Sequence, residues 1–248
     1  MLFGKSIAVV VPAYNEAGLI GAVLEAMPPF IDHLIVVDDA STDETAEIAR
    51  ACPRVHLIAH PFNRGVGAAI ASGFEHALCV GAEITAVMAG DGQMDPSDLP
   101  ALLRPLALGQ AEFTKGNRLD WPLARHLMPW HRWVGNHVLS MLTRRALGLE
   151  VRDSQCGYAA LSRRAKQALD WGRLWPSYGY PNDLLSWLTV RGFEVHEVPV
   201  RPVYGVAESG IRLHHVVRIV FVVLLRAWIR RLVGSRAQVE LTRTTRPR

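Results

Sequence analysis

Apolar runs that each end in a cluster of polar side chains recur four times between Ser6 and Asp91. Ser6–Pro12 (SIAVVVP) runs into Ala13–Glu16 (AYNE), His33–Val37 (HLIVV) into Asp38 and Asp39, Val55–His60 (VHLIAH) into Asn63, and Ile84–Ala89 (ITAVMA) into Asp91. Short, nearly continuous apolar runs are the pattern of strands buried on both faces, which is the situation in parallel sheets. The segments between them predict helices: Gly18–Met27, stopped by Pro28 and Pro29; Asp43–Cys52, stopped by Pro53; Gly67–Val80; and Pro96–Leu108, opened by a proline in its first turn. This βαβ alternation predicts an α/β fold with a Rossmann-type, mostly parallel sheet flanked by helices. Ligands of such sheets gather at the carboxyl ends of the strands, where all four polar clusters fall.

After Glu112–Asn117 the pattern changes. Trp121–Gly148 interleaves aromatics with arginines, and a further strand is predicted at Glu194–Arg201. No linker or internal repeat interrupts this half, so residues 1–205 are expected to form one domain. Residues 206–233 form a second unit, whose apolar run is broken by Arg218, Arg226, Arg230 and Arg231 and falls short of the ~20 residues that a membrane span requires. At a helical period His214, His215, Arg218, Arg226 and Arg230 share one side, and Val220, Val223, Leu224, Ala227 and Trp228 the other. That is the pattern of an amphipathic helix lying in a membrane interface, with a helix packed on the domain or a partner as the alternative. Residues 234–248 read as a disordered basic tail.

Charge is divided unevenly along the 248 residues. Residues 1–115 hold 6 Lys/Arg against 14 Asp/Glu, and the remainder 21 against 9. The acidic half suits a metal and nucleotide site, and the basic half an anionic partner such as a phosphate or an anionic membrane surface. Aromatic residues do not alternate as a base-stacking platform, which argues against specific nucleic-acid binding. Cys52, Cys79 and Cys156 are widely spaced and form no zinc pattern, in keeping with a reducing cytoplasm. The amino-terminal apolar run is too short for a signal segment and reads as the first strand.

Six segments carry the candidate chemistry: Val11–Glu16 (VPAYNE), Val37–Thr45 (VDDASTDET), Asn63–Ala69 (NRGVGAA), Met88–Pro96 (MAGDGQMDP), Lys115–Arg118 (KGNR) and Val151–Tyr158 (VRDSQCGY). In this order and spacing they resemble the family 2 glycosyltransferases, and within them the transferases that use dolichyl or polyprenyl phosphate. The resemblance implies a GT-A-like fold and an inverting, metal-dependent enzyme. Such an enzyme would move a sugar from a nucleotide-sugar donor to a polyprenyl-phosphate acceptor, at the cytosolic face of a membrane as a peripheral protein.

It also implies roles for residues. Pro12, Tyr14, Glu16, Asp38, Asp39, Asn63 and Gly67 would hold the nucleotide. Asp91, with Gln93, would hold Mg²⁺ or Mn²⁺ against the leaving diphosphate. Arg118, Arg132, Ser209 and Arg212 would face the acceptor phosphate. The family's usual Asp-x-Asp is incomplete here, because Ala89 stands at the first position. The expected metal site is therefore weaker, or dependent on Asp38 and Asp39.

Transfer to a sugar hydroxyl of a glycan or lipid is the alternative, and it would require Asp153 or Asp183 as general base. A nucleotide-binding protein without catalysis is another. Several residues also admit a plain structural reading: Ser41, three before Glu44, has capping-box spacing; Asp95 and Asp183 stand where helix N-caps stand. Gly65–Ile70 (GVGAAI) lacks the third small residue of a dinucleotide fingerprint and follows the third strand. Its glycines are expected to let the helix from Gly67 approach the sheet closely.

Overall fold

The computed structural model describes residues 1–204, 216 and 218–233, with the exception of the Val220 side chain. Among them seven strands form one sheet: β1 (Ile7–Ala13), β2 (His33–Asp38), β3 (Val55–Ala59), β4 (Ile84–Val87), β5 (Phe113–Asn117), β6 (Ala159–Ser162) and β7 (Val195–Pro199), in the order β3-β2-β1-β4-β6-β5-β7. Every pairing is parallel except those of β6, which runs antiparallel to both β4 and β5. The chain leaves β1 toward β2 on one side and returns to β4 on the other, so β1 and β4 flank a topological switch point.

The first-half helices match expectation to within a few residues at each end: α1 (Ile20–Glu25), α2 (Thr45–Ala51), α3 (Val66–Cys79) and α4 (Leu99–Ala107), the last preceded by a 3₁₀ turn, Pro96–Asp98. Asp95 caps that turn by accepting from Ser97 N. α5 (Ala124–Leu127) and α6 (Trp130–Leu147) occupy the aromatic and arginine segment, and α7 (Arg163–Gln167) and α8 (Tyr180–Val190) follow β6. Two strands lack the long apolar run of the first four. β5 buries Thr114, Lys115 and Asn117, and β6 is only four residues long.

The close approach of helix to sheet occurs at Gly73, not at Gly65 and Gly67. A Cβ at Gly73 would lie 2.2 Å from Val10 Cγ1, whereas one at Gly67 would lie 2.0 Å from Trp175 O. The two earlier glycines instead admit the backbone of the loop before α8, whose Pro176 O accepts from Gly67 N at 2.8 Å and Ala68 N at 3.1 Å.

A last helix, α9 (218–233), opens with a wide π-type turn, Ile219–Val223. Its Ile219, Val223, Leu224 and Ala227 are buried, Ile219 and Val223 against Gly179 at the start of α8. This corrects the assignment of faces. Val223, Leu224 and Ala227 face protein rather than lipid, while Phe221, Val222, Leu225, Trp228, Ile229, Leu232 and Val233 are exposed. Arg226 and Arg230 turn toward Asp183 of α8, while Arg218 is exposed.

Candidate active site

The turns that follow β1 and β2 are clasped together. Asn15 N donates to Ser41 Oγ at 2.9 Å, Thr42 N to Asn15 Oδ1 at 2.8 Å, Glu16 N to Thr45 Oγ1 at 2.8 Å and Ala17 N to Asp43 Oδ2 at 3.1 Å. Ser41 is thus the acceptor for the first turn and not the cap of α2, whose start has no side-chain cap. Asn15 and Ala40 hold left-handed backbone, φ 55° and 62°, which strains Ala40 more because it has no side-chain amide to bond locally.

Asp39 organises the third turn. Its Oδ1 accepts from Arg64 N at 2.9 Å and contacts His60 Nδ1 at 2.6 Å, and its Oδ2 accepts from Gly65 N at 2.7 Å. His60 Nε2 lies 3.0 Å from Ser72 Oγ on α3. This aspartate–histidine–serine chain has the connectivity of a hydrolase triad, but Ser72 does not line the cleft described below, and the chain holds Asp39 in place. Asp38 is buried beneath and accepts from Ser41 N.

At the switch point these turns enclose a cleft of about 400 Å³ lined by Pro12, Tyr14, Glu16, Asp39, Asn63, Ala89 and Asp91, with Ser177 and Tyr178 from the loop before α8. Six of the expected nucleotide and metal residues therefore converge. Gly67 contributes by admitting that loop, and Asp38 stands behind Asp39. Burial raises the Asp91 carboxyl above the usual carboxylate range. Glu16 is pushed up to about 7, by burial first and then by the charges of Asp91 and Asp43. Ala89 lines the cleft.

Asp91 also lines a small adjoining cavity with Gln93, Met94, Arg118, Tyr158 and Arg201. That cavity shares Met94, Arg201 and Val203 with an outer groove of about 450 Å³ that includes Leu127, Pro202 and Tyr204. Arg118 is fixed by Asp153: Arg118 Nε donates to Oδ2 at 2.8 Å and Nη2 to Oδ1 at 3.0 Å. Burial opposes both charges, yet each stabilises the other, holding Asp153 below the usual carboxylate range and Arg118 above its ordinary value. Arg132 lies 5.6 Å from the Tyr204 ring centroid at the groove's edge. Arg201, whose N donates to Asp98 Oδ2 at 2.8 Å, was not singled out in the sequence because it follows a strand with no motif around it.

Both candidate general bases are placed elsewhere. Asp153 is wholly buried under Arg118. Asp183 is wholly buried in the first turn of α8, where its Oδ2 accepts from Trp175 N at 2.9 Å and its Oδ1 faces Arg230 Nη1 at 3.0 Å and Arg226 Nε at 3.6 Å. It is not an N-cap either; Gly179 holds that position. Neither carboxylate lines the cleft, and each orients a neighbour. Ser209 and Arg212 lie outside the described residues.

Among the described residues no three His, Cys, Asp or Glu side chains converge as a metal cage. Asp38 accepts from the backbone N–H of Ser41, and Asp39 from those of Arg64 and Gly65. The desolvated carboxylate of Asp91 with the amide of Gln93 nevertheless fits Mg²⁺ or Mn²⁺, because Mg²⁺ sites typically combine one or two carboxylates with substrate phosphates and water.

The glycosyl transferase family 2 domain matches residues 8–169. A UDP-N-acetylglucosamine–dolichyl-phosphate N-acetylglucosaminyltransferase of Methanococcus voltae is 30% identical, over 81% of this chain and 86% of that one. A polyprenol monophosphomannose synthase of Mycolicibacterium smegmatis is 32% identical, over 77% and 75%. In structure, the glucosyl-3-phosphoglycerate synthase of Mycobacterium tuberculosis in complex with Mn²⁺, uridine diphosphate and phosphoglyceric acid matches with a TM-score of 0.69 at 25% identity, over 91% of this chain and 79% of that one.

Proposed function

The chain belongs to glycosyl transferase family 2, and on that footing we propose that it is an inverting transferase that moves a sugar from a nucleotide-sugar donor to a polyprenyl phosphate at a membrane surface. One observation carries the reading: Asp91 lines both the cleft and the cavity that holds Arg118, and that cavity shares Met94, Arg201 and Val203 with the groove of Leu127, Pro202 and Tyr204. A donor in the cleft and a phosphate at Arg118 would then meet at Asp91.

Tyr14, Asp39 and Asn63, with Ser177 and Tyr178, bind the nucleoside diphosphate portion. Asp91 and Gln93 would hold a divalent cation, which when bound neutralises the charge that gathers on the leaving diphosphate. Arg118, pre-oriented by Asp153, and Arg201 hold the acceptor phosphate, whose oxygen displaces the nucleoside diphosphate at the anomeric carbon in one inverting step. An ionised phosphate oxygen needs no base, which agrees with the engagement of Asp153 and Asp183 away from the cleft. The exposed Leu123, Leu127 and Trp130 beside the groove, and the exposed face of α9, suit a peripheral position on the cytosolic face of a membrane. No described helix is long and apolar enough to cross one.

The test is incubation with a panel of labelled nucleotide sugars, each with polyprenyl phosphate, with phosphoglyceric acid, or with a sugar acceptor, in the presence of Mg²⁺ or Mn²⁺. Label is expected in a mild-acid-labile lipid. Label only in phosphoglycerate would assign a soluble phosphate acceptor. Label only in the glycan would overturn the phosphate reading.

A further inference from the structure

A second, shallower cavity of about 490 Å³ lies between α8 and α9 and shares no residue with the cleft. Arg173, Arg226 and Arg230 line it together with Trp187, Ile229 and Val233. Its positive charge is only partly balanced. Arg226 and Arg230 share the single carboxylate of Asp183, and the Arg173–Asp170 pair is exposed and 3.6 Å apart. Arg191 adds a further cation over the Trp187 ring, 4.6 Å from its centroid, with Arg230 at 3.9 Å. Over 218–233 the helix carries Arg218, Arg226, Arg230 and Arg231 and no acidic residue.

An independent sign of a missing partner sits in the same wall. Trp187 Nε1 is buried and has no hydrogen-bond acceptor among the described residues. A buried donor without an acceptor is costly, and a small shift of the Trp187 ring that opened its N–H to the cavity would let an anionic oxygen satisfy both it and the guanidinium groups. The outer rim is apolar: Ile229 and Val233 of the lining are exposed, and Leu225, Trp228 and Leu232 are exposed along the same helix. A soluble anion would leave that rim in water, and an acidic protein surface would match the arginines alone. A lipid covers both.

We propose that this cavity docks the phosphate headgroup of an anionic membrane lipid, at a site separate from the acceptor groove. The inference rests on the peripheral-membrane reading and names the chemistry that the helix recognises there. Arginine forks engage phosphate through paired donors, so the site discriminates phosphate from other anions rather than responding to surface charge alone.

The experiment compares sedimentation of the full chain with two sets of phosphatidylcholine vesicles of matched surface potential, one containing phosphatidic acid and the other the phosphate-free cholesteryl hemisuccinate. Wild type is expected to bind the phosphatidic acid vesicles about tenfold more tightly. The double variant Arg173→Gln, Trp187→Phe removes one exposed guanidinium and the indole N–H while keeping a ring for the arginines to stack on. It is expected to lose that preference and keep its binding to hemisuccinate vesicles. Equal wild-type binding to both sets, or a preference that survives in the double variant, overturns the site while leaving membrane association standing. Binding to neither set overturns both readings. Displacement from phosphatidic acid vesicles by equimolar inorganic phosphate would assign a soluble anion instead. Tighter binding of polyglutamate, lost in the double variant, would assign an acidic protein partner.

Discussion

At the scale of single residues, Asp91 is the carboxylate on which both cavities converge, and burial already disfavours its charge. Asp91→Asn is therefore expected to lower kcat by about 10³-fold, in the range seen when an electrostatic stabiliser is removed, while the unfolding midpoint stays the same or rises. Full activity with intact metal dependence would show that the leaving group is stabilised elsewhere. Ala89 lines the same cleft, so Ala89→Asp should fold normally and tighten Mn²⁺ binding in the presence of the nucleoside diphosphate, as read by calorimetry.

Lys166 gives a pH test that is independent of the site. It is buried, with Nζ donating to Ala82 O and Thr85 Oγ1, and burial, then the charge of Arg163, pull it down to about 7 from 10.5. Between those values the unfolded chain binds the proton that the folded chain has released, so this group adds stability as pH rises from about 7 toward 10 and penalises folding below it. Urea unfolding of wild type relative to Lys166→Met should therefore improve across that window, by an amount on the order of a few kcal/mol. A difference independent of pH would mean that the ammonium stays charged in the fold.

At the scale of elements, the glycines of α3 set how close its neighbours come. Gly73→Ala would drive a Cβ into Val10 on the central strand, for a cost of about 1–3 kcal/mol measurable by thermal unfolding, and with little effect on donor affinity. Gly67→Ala meets backbone at Trp175 and Pro176 instead, so its expected effect is on donor KM, because the loop it displaces carries Ser177 and Tyr178 into the cleft. Reversal of these two outcomes would exchange the roles assigned to the two ends of the helix.

The strand ends that form the donor cleft were legible in the sequence for a physical reason. β1, β2 and β4 are buried on both faces, and an apolar run ending in Asp39 or Asp91 has one reasonable place in a parallel sheet. β5 was not legible, since its Lys115 and Asn117 are buried polar groups whose partners, such as Cys156 O and Glu197, come from residues remote in sequence. Asp153 and Asp183 illustrate the same limit. Each has the composition of a catalytic acid, and only the approach of Arg118 or of Arg226 and Arg230 makes it a structural anchor. The helical period of α9 cannot tell which of its apolar residues meet protein.

At the scale of the whole molecule, the proposed membrane attachment would rest on shallow apolar contact assisted by charge, through the exposed face of α9 and the exposed Trp130 and Leu127. Binding to anionic liposomes should weaken as salt rises, and Trp228→Ser together with Leu225→Ser should weaken it further without changing nucleotide affinity. Retention by both high salt and alkaline carbonate would contradict a peripheral attachment.

The carboxylate of Asp183 joins parts of the chain that a linear map keeps apart. It receives the arginines of the last helix on one oxygen and the backbone of Trp175 on the other, and the next residues of that loop form the cleft wall. Anyone trimming this protein to a minimal donor-binding domain, or grafting its specificity onto a relative, would keep every side chain that lines the cleft by stopping before residue 211, and would still lose the fastening of that wall. The portable unit extends to residue 233.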